Sequence, residues 1–531
     1  MENMLDIYSI DMECQKTWNL ISSGMTKGVF QLESPLGRSW AKKVKPRSLE
    51  ELAALIALIR PGCLKAMSGD PPKSMAQRYV DRKFGEEDLE YFHPSLETIL
   101  GSTYGVLVYQ EQAMQMAQVL AGFDLQEADV LRKAIGKKKA DIMAKVKKSF
   151  LTGASKEGVV TKEEAEEIFS WIQESQRYSF NKSHAVSYAK NAYWSAYCKT
   201  HYPHQFFCSY LVGSAWKQDP HEEVQELVND SKIIGIDVLP PDFRDVKKTF
   251  YLKDDSIFFG MSDIKQVGSS AVDKISVKIV EVEAIIEKKV AAWSWADYLI
   301  FFSKNISSTV NKALMSSGSL DYFKVPRNQM LYEVELWNKL TVKEMEWVKG
   351  QNSGEGLFPK VKSWGSFLES LIACQPVKKE GGGCSNSKRS QILLDIIKTT
   401  KNPPHKLNDS PAWISWAEEK FLGAALTCSK VEGCSDSVKS NTTCKEFIDG
   451  KEGFMVFAVE INRSKQIMTK RGTKMAFLSI SDSSCCIDSV VCFTQELEDY
   501  QGILHEGNTI LLQAEKDKKR GGLIVKKAWQ I

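Results

Sequence analysis

Two stretches of this 531-residue sequence carry charge at spacings that suit phosphate chemistry. The first, LRKAIGKKKADIMAKVKKSF (131–150), holds eight Lys and Arg against one Asp, in a chain whose formal net charge is only +3. Arg132, Lys133, Lys137, Lys138 and Lys139 cluster around Gly136. Ammonium groups aimed from one turn suit a phosphate or a nucleic-acid backbone. The run also reads as a solvated helix face, because Leu131, Ile135, Ile142, Val146 and Phe150 fall on one helical stripe. The second stretch is RYSFNKSHAVSYA (177–189). Asn181 or Ser183 caps the helix that follows, with Arg177, Lys182 and His184 around its start. Unpaired amides and the positive dipole end there would grip an anion, a triphosphate included. A capped helix with a packed histidine is the other reading.

Phosphoryl transfer with metal assistance needs carboxylates that hold two ions about 4 Å apart. The candidate pairs are Asp11 with Glu13, Asp254 with Asp255, and Asp482 with Asp488. None stands in a convincing context, and no catalytic or metal ligand is assigned. The twelve cysteines form no CxxC. Cys428, Cys434 and Cys444 have no nearby His, a poor zinc pattern. Free thiols in a reducing cytoplasm are expected.

The elements that must position these residues follow from periodicity. An apolar content of 43% and a charged content of 26% describe an ordinary globular protein, and the length suggests three or four domains of about 150 residues. The apolar run LAALIALI (52–59) is far short of the ~20 residues a membrane span needs. MENMLDIYSI lacks the pattern of a signal peptide. A cytoplasmic protein without membrane contact is expected. Helices are predicted over 49–58, 110–123, 161–175 and 184–202, the third opened by a capping box from Thr161 to Glu164. TYGVLVY (103–109) reads as a strand. KTFYLKDDSIFFGM reads as two short strands around Asp254 and Asp255. DIKQVGSSAVDKI (263–275) reads as helix, glycine turn, helix, and STVNKALMSSGSLDYF (308–323) repeats it loosely. A hairpin of this kind offers backbone amides to a phosphate at Gly268, Ser269 and Ser270. KKEGGGCSNSKRS (378–390) has linker composition. Beyond it come five strand candidates at 454–461, 474–481, 489–493, 509–516 and 522–529, with a helix (494–504) between the third and fourth. That is the order of an OB-fold, a module that binds single-stranded nucleic acid or docks protein. The basic loop around Lys470 and Arg471 favours nucleic acid. The fold class is therefore multidomain α+β.

The ordered segments GVFQLES (28–34), ALIRPG (57–62), YVDRKFG (79–85), HPSLETIL (93–100), TYGVLVYQEQAMQMAQVLAGF (103–123), ADVLRKAIGKKK (128–139), FNKSHAVSYA (180–189) and VLPPD (238–242) carry a resemblance. Together they resemble the bacterial C-family replicative polymerase, the DNA polymerase III alpha subunit. IKQVGSSAV (264–272) resembles its tandem helix-hairpin-helix region, and WAEEKFLGAAL (416–426) the connector before its OB domain. The resemblance implies mostly helical fingers over 1–235, with 1–30 a palm-proximal lead-in. It implies a tandem helix-hairpin-helix region that binds DNA and the sliding clamp over 236–345, a connector over 346–445, and an OB-fold over 446–531.

The family's phosphate-side basic positions match Arg60, Arg132, Lys133, Lys182 and His184, and Lys137 and Ser183 are expected to join them at the nucleotide. Lys138, Lys139, Gly268, Ser269, Ser270, Lys470 and Arg471 are the expected DNA contacts. Cys63 departs from the family's RPGP, and Lys133 often corresponds to Arg. Gln351, Leu357 and Phe358 in GQNSGEGLFP (350–359) resemble the clamp-binding peptide, at longer spacing. In the family the palm, with its metal aspartates, precedes GVFQLES. The resemblance therefore implies a split polymerase. Its substrate is a dNTP and its other partners are primer-template and single-stranded DNA. Mg2+ enters only through a separate palm-bearing chain. The alternative is a non-catalytic DNA- and clamp-binding remnant. LAALIALI and the first thirty residues are candidates for a palm-facing surface; the alternative places LAALIALI inside the fingers.

Overall fold

The computed structural model describes residues 5–531 apart from 66, 69–71, 137–139, 176–178, 343, 347–394, 396–397, 399–401, 404–405, 470–471 and 518–520. The chain divides into two compact units, Met1–Phe206 and Phe207–Ile531.

The first unit is helical: α1 (Gln15–Ser23), α2 (Pro35–Val44), α3 (Leu49–Leu58), α4 (Pro61–Lys65), α5 (Met75–Lys83), α6 (Glu97–Leu100), α7 (Gln110–Ala121), α8 (Leu125–Gly136), α9 (Ala140–Glu157), α10 (Lys162–Ser175) and α11 (Lys182–His201). A short hairpin, β1 (Met67–Ser68) with β2 (Lys73–Ser74), interrupts them. Two apolar cores divide the helices. One gathers α1 to α3, α5 and α11, and the other gathers α6 to α10.

In the first core α3 packs on α11. Ser48 starts α3 by accepting the Glu51 amide (3.3 Å). Every residue from Leu52 to Leu58 is buried. This corrects the expectation that LAALIALI faces a missing palm, because the run is interior to its own unit. The partner surface explains the fit. Ala185, Ala189, Ala192 and Ala196 recur on one face of α11, all fully buried, and small side chains there let the leucine-rich helix approach.

In the second core the glycine at 153 is required by close approach. A Cβ there would stand 2.1 Å from the Ala121 carbonyl oxygen, so α9 crosses α7 almost backbone to backbone. Leu131, Val146 and Phe150 are buried in this core, while Lys145, Lys147 and Lys148 point to solvent. The single stripe read from sequence belongs to two helices, α8 and α9. The Thr161–Glu164 box forms as expected, with reciprocal bonds of 2.8 and 3.2 Å.

Residues 103–109 do not form a strand, which corrects that expectation. They run between the cores, with Val106, Val108 and Tyr109 packed in one and Leu107 in the other. Alternation is present, but a ladder partner is not, apart from one parallel bridge between Tyr109 and Phe180. Buried Gln112 supplies what a neighbouring strand would. Its Oε1 accepts the amides of Val108 (3.0 Å) and Tyr109 (2.9 Å), and its Nε2 donates to the Ile99 carbonyl (3.1 Å) and Thr103 Oγ1 (2.8 Å).

The helix α12 (Pro203–Ser214) spans the boundary between the units. The second unit opens with α13 (Pro220–Ile233) and a small sheet. In it β3 (Val238–Leu239) pairs parallel with β5 (Ser256–Phe258), which pairs antiparallel with β4 (Tyr251–Lys253). Asp254 and Asp255, with φ of 49° and 59°, make the turn between β4 and β5. The hairpin at Gly268 differs from expectation. Its second arm is the long helix α14 (Ser269–Ile286), but its first arm is one 3-10 turn, Met261–Asp263. The amides of Met261 and Ser262 donate to the carbonyls of Lys247 and Lys248 (2.7 and 2.9 Å). Bonds spent on the neighbouring segment cannot extend a helix. A three-residue helix α15 (Trp295–Asp297), α16 (Ser308–Ser316), α17 (Arg327–Asn338) and α18 (Pro411–Leu422) follow.

A closed five-stranded mixed barrel completes the chain: β6 (Met455–Met468), β7 (Lys474–Ser481), β8 (Cys486–Cys492), β9 (Thr509–Lys516) and β10 (Leu523–Gln530). β6 pairs with β7 and β9, and β7 with β8, all antiparallel. The circuit closes through β10, antiparallel to β9 and parallel to β8. Before the barrel comes α19 (Cys444–Ile448), and α20 (Thr494–Tyr500) lies between its third and fourth strands, shorter than the helix read from sequence. Closure removes exposed strand edges. The linker composition at 378–390 lies outside the described residues.

Candidate functional site

The strongest convergence of predicted phosphate-side residues lies where residues 103–109 meet the start of α11. Two backbone bonds fix the crossing: Phe180 N–H donates to the Val108 carbonyl and Gln110 N–H to the Phe180 carbonyl, both at 2.9 Å. Arg60, exposed just ahead of α4, lays its guanidinium over the Phe180 ring at 3.7 Å. His184 packs on Phe180 and Tyr188, with ring centroids 5.3 and 4.0 Å away. The Lys182 ammonium stands 5.8 Å from the Tyr109 ring centre. Lys182, Ser183 and His184 are all exposed. Arg60, Lys182 and His184 thus share an aromatic platform, and guanidinium or ammonium groups held on ring faces remain free at their edges to meet an anion.

Asn181, not Ser183, is the cap, its Oδ1 accepting the His184 amide at 2.8 Å. One amide expected to be open to an anion is already taken. Glu111, in the first turn of α7, reaches across with both oxygens. Oε2 accepts the Lys182 amide (2.9 Å) and Oε1 accepts Asn181 Nδ2 (2.7 Å). A carboxylate therefore sits at the helix start, and a phosphate arriving there meets chiefly side chains. Sequence reasoning missed Glu111, Tyr109 and Phe180. Acidity in a first helical turn is visible in the sequence, but the helix it serves begins 71 residues later.

Arg132 and Lys133 lie on α8, in the other core's layer, and no contact among the described residues joins them to Arg60 or Lys182. Both pair with Asp129, at 2.8 and 2.6 Å. The hydrogen bonds from Lys133 and then Arg132 hold the Asp129 carboxyl below the usual carboxylate range. Such exposed pairs are weak in water and open to exchange for a stronger anion. Arg177, Lys137, Lys138, Lys139, Lys470, Arg471 and the peptide residues Gln351, Leu357 and Phe358 lie outside the described residues.

In the second unit Gly268, Ser269 and Ser270 are exposed at the start of α14. Gly268 offers no side-chain cap; its carbonyl accepts the Ala271 amide (2.9 Å), which leaves the amides ahead of Ala271 as the ones a backbone phosphate would use. The carboxylates weighed as metal ligands serve local structure. Asp482 accepts the amides of Cys444 (2.7 Å) and Ser484 (2.8 Å), Asp488 accepts the Ser479 hydroxyl (2.8 Å), and Asp11 accepts the Glu13 amide (2.9 Å). Among the described residues no group of three or more His, Cys, Asp or Glu could hold a metal ion, so a magnesium site finds no donor set there. Nor is any described helix long and apolar enough to cross a membrane.

Comparison with known proteins bears on these sites. Residues 1–158 match the model of the bacterial DNA polymerase III alpha subunit finger domain, and residues 235–330 match a helix-hairpin-helix motif. DNA polymerase III subunit alpha of Aquifex aeolicus is 39% identical over 423 residues, which cover 79% of this chain and 33% of the relative. That of Borreliella burgdorferi is 31% identical, covering 93% and 39%. That of Escherichia coli is 29% identical, covering 98% and 42%. The chain spans less than half the length of these relatives. Two family models in the expected order, over a helical unit and a barrel-bearing unit, place the chain in the bacterial DNA polymerase III alpha subunit family, where it corresponds to the C-terminal half.

Proposed function

We propose that this chain is the nucleotide- and DNA-binding part of a split replicative DNA polymerase. Its first unit binds the triphosphate of the incoming dNTP through Arg60, Lys182, Ser183 and His184. Arg132 and Lys133, on α8, and Lys137 add to that charge. These cations neutralise the phosphates and stabilise charge developing on the leaving pyrophosphate. The second unit holds primer-template DNA. The α14 amides at Gly268, Ser269 and Ser270 grip its backbone; Lys138 and Lys139 are further DNA contacts, belonging to the first unit. The barrel, read as an OB-fold, meets the single-stranded template near Lys470 and Arg471. Gln351, Leu357 and Phe358 dock on the sliding clamp. The carboxylates that hold Mg2+ come from a palm on a separate chain. The observation that carries this reading is the meeting of Arg60, Lys182 and His184 on one aromatic platform.

Primer extension tests it, run with this chain, with a palm-bearing polypeptide, and with both. Extension is expected only in the mixture, and Arg60→Ala or Lys182→Ala should raise the KM for dNTP at least tenfold, the effect of losing one charge-assisted phosphate contact. Extension by this chain unaided, or a mixture indifferent to both substitutions, refutes it.

A further inference from the structure

The two ends of the first unit's sequence meet at a pair of side chains that the phosphate chemistry does not use. Cys14 stands at the N-cap of α1, and its Sγ lies 3.2 Å from Nε2 of His201, in the last turn of α11. Both are reachable from solvent: His201 is exposed and Cys14 half-buried. The contact is fixed from both sides. The Cys14 amide donates to the Tyr193 hydroxyl (3.1 Å), which donates to the Asp11 carbonyl (2.8 Å). Tyr197 packs on the His201 ring at 4.2 Å. A thiol within reach of an imidazole is the arrangement that generates a nucleophilic thiolate.

A second observation points to the thiolate. The Thr17 hydroxyl is fully buried and turned toward Cys14 and Tyr193, without reaching good hydrogen-bond geometry to either. It lies one turn into α1, where a negative sulfur would draw it in. Burial pushes the Cys14 thiol up, and the Asp11 carboxylate adds to that. The Thr17 hydroxyl and the amides of Thr17 and Lys16 outweigh both, and the thiol lies below its ordinary range. The contrast with other cysteines is sharp. Burial holds Cys198 and Cys208 above that range, and it pushes Cys63 up to about 11.

We propose that Cys14 and His201 form a nucleophilic thiol–imidazole pair, a modification site for soft electrophiles and hydroperoxides. With a haloacetamide, the sulfur forms a bond to the methylene carbon, the carbon–halogen bond breaks, and halide leaves. With hydrogen peroxide, the thiolate attacks one oxygen and the O–O bond breaks. The departing hydroxide takes the imidazolium proton and leaves as water, so Cys14 becomes a sulfenic acid while peroxide is reduced. His201 lies on the same helix as Lys182 and His184, at its opposite end. The proposal does not depend on the polymerase reading.

The test uses the full chain. Iodoacetamide labelling is followed peptide by peptide by mass spectrometry at pH 6.5, in native buffer and in urea. Thiolate population rises tenfold per pKa unit lowered, while intrinsic nucleophilicity falls by about half of that on a logarithmic scale. Cys14 should therefore label faster in the native chain than in urea, although it is half-buried in the native chain. It should outpace Cys198 and Cys208 by more. His201→Gln and, separately, Thr17→Val should each remove most of the native advantage. After hydrogen peroxide, a dimedone adduct should appear first on Cys14. His201 is exposed, so its substitution leaves the fold intact, and unchanged labelling of the buried Cys63 verifies that. Native labelling of Cys14 no faster than in urea, or a rate indifferent to both substitutions, overturns the proposal.

Discussion

Gln112 offers the sharpest test of how the candidate site is held. Its side-chain amide replaces a missing strand for residues 103–109, and Tyr109 in that segment supports Phe180 and Lys182. Consider Gln112→Met, which keeps the length and shape of the side chain and opens no cavity. The amides of Val108 and Tyr109, in residues only 1% and 3% exposed, lose their acceptor. Each buried amide left unpaired costs roughly 1–3 kcal/mol. The two together cost roughly 2–6 kcal/mol, a large share of a unit whose whole stability is of order 5–15 kcal/mol. At about 1.4 kcal/mol per factor of ten, even the lower bound should speed local opening about thirtyfold. Hydrogen exchange by mass spectrometry reads this directly on peptides covering residues 99–121, with barrel peptides covering 455–468 as the internal control. A rise of less than about threefold around Val108 and Tyr109 refutes the reasoning. Uniform loss of protection in the barrel as well would show that the effect is not local.

Two further outcomes follow from buried charge. In the second unit Arg327 is 2% exposed and joins Asp321 (2.6 Å) and fully buried Glu418 (2.8 Å); Arg327→Met strands the Glu418 carboxylate and should cost about 3–5 kcal/mol in urea unfolding. Adding Glu418→Gln should recover part of that loss, and a double variant no better than the single one contradicts the account. Asp263, at the short arm of the hairpin, has its carboxyl pushed up to about 7 by burial, against the bonds from the Gly260 and Phe250 amides. The folded form then holds a proton that the unfolded form releases near pH 4, so stability is full below that point and falls as pH rises from about 4 to about 7. Asp263→Asn keeps an acceptor for the Gly260 amide and should flatten that fall; a variant whose pH profile still declines over the same window assigns the decline elsewhere.

The sequence by itself determined the helices with strong periodicity and explicit caps. Ser48 before α3 and Thr161 before α10 mark their starts because a capping hydroxyl acts within one turn. It determined the five barrel strands, since half-buried strands alternate with period two. It also made the family legible, through ordered motifs that tertiary structure does not alter. The failures share one cause: each depended on a partner distant along the chain. Residues 103–109 alternate like a strand, but a strand needs a neighbour, and here Gln112 takes that place. LAALIALI is apolar on every face whether its cover is α11 or another protein. Only the alanine face of α11 decides for the former.

The tertiary structure alone brought Arg60, Phe180, Lys182 and His184 to one platform, sent Glu111 to the start of α11, and set Cys14 against His201. The physical reason is that periodicity, caps and turns are paid within a few residues of chain. Side-chain convergence is set by how the cores pack, and packing is a property of contacts between segments far apart in the sequence.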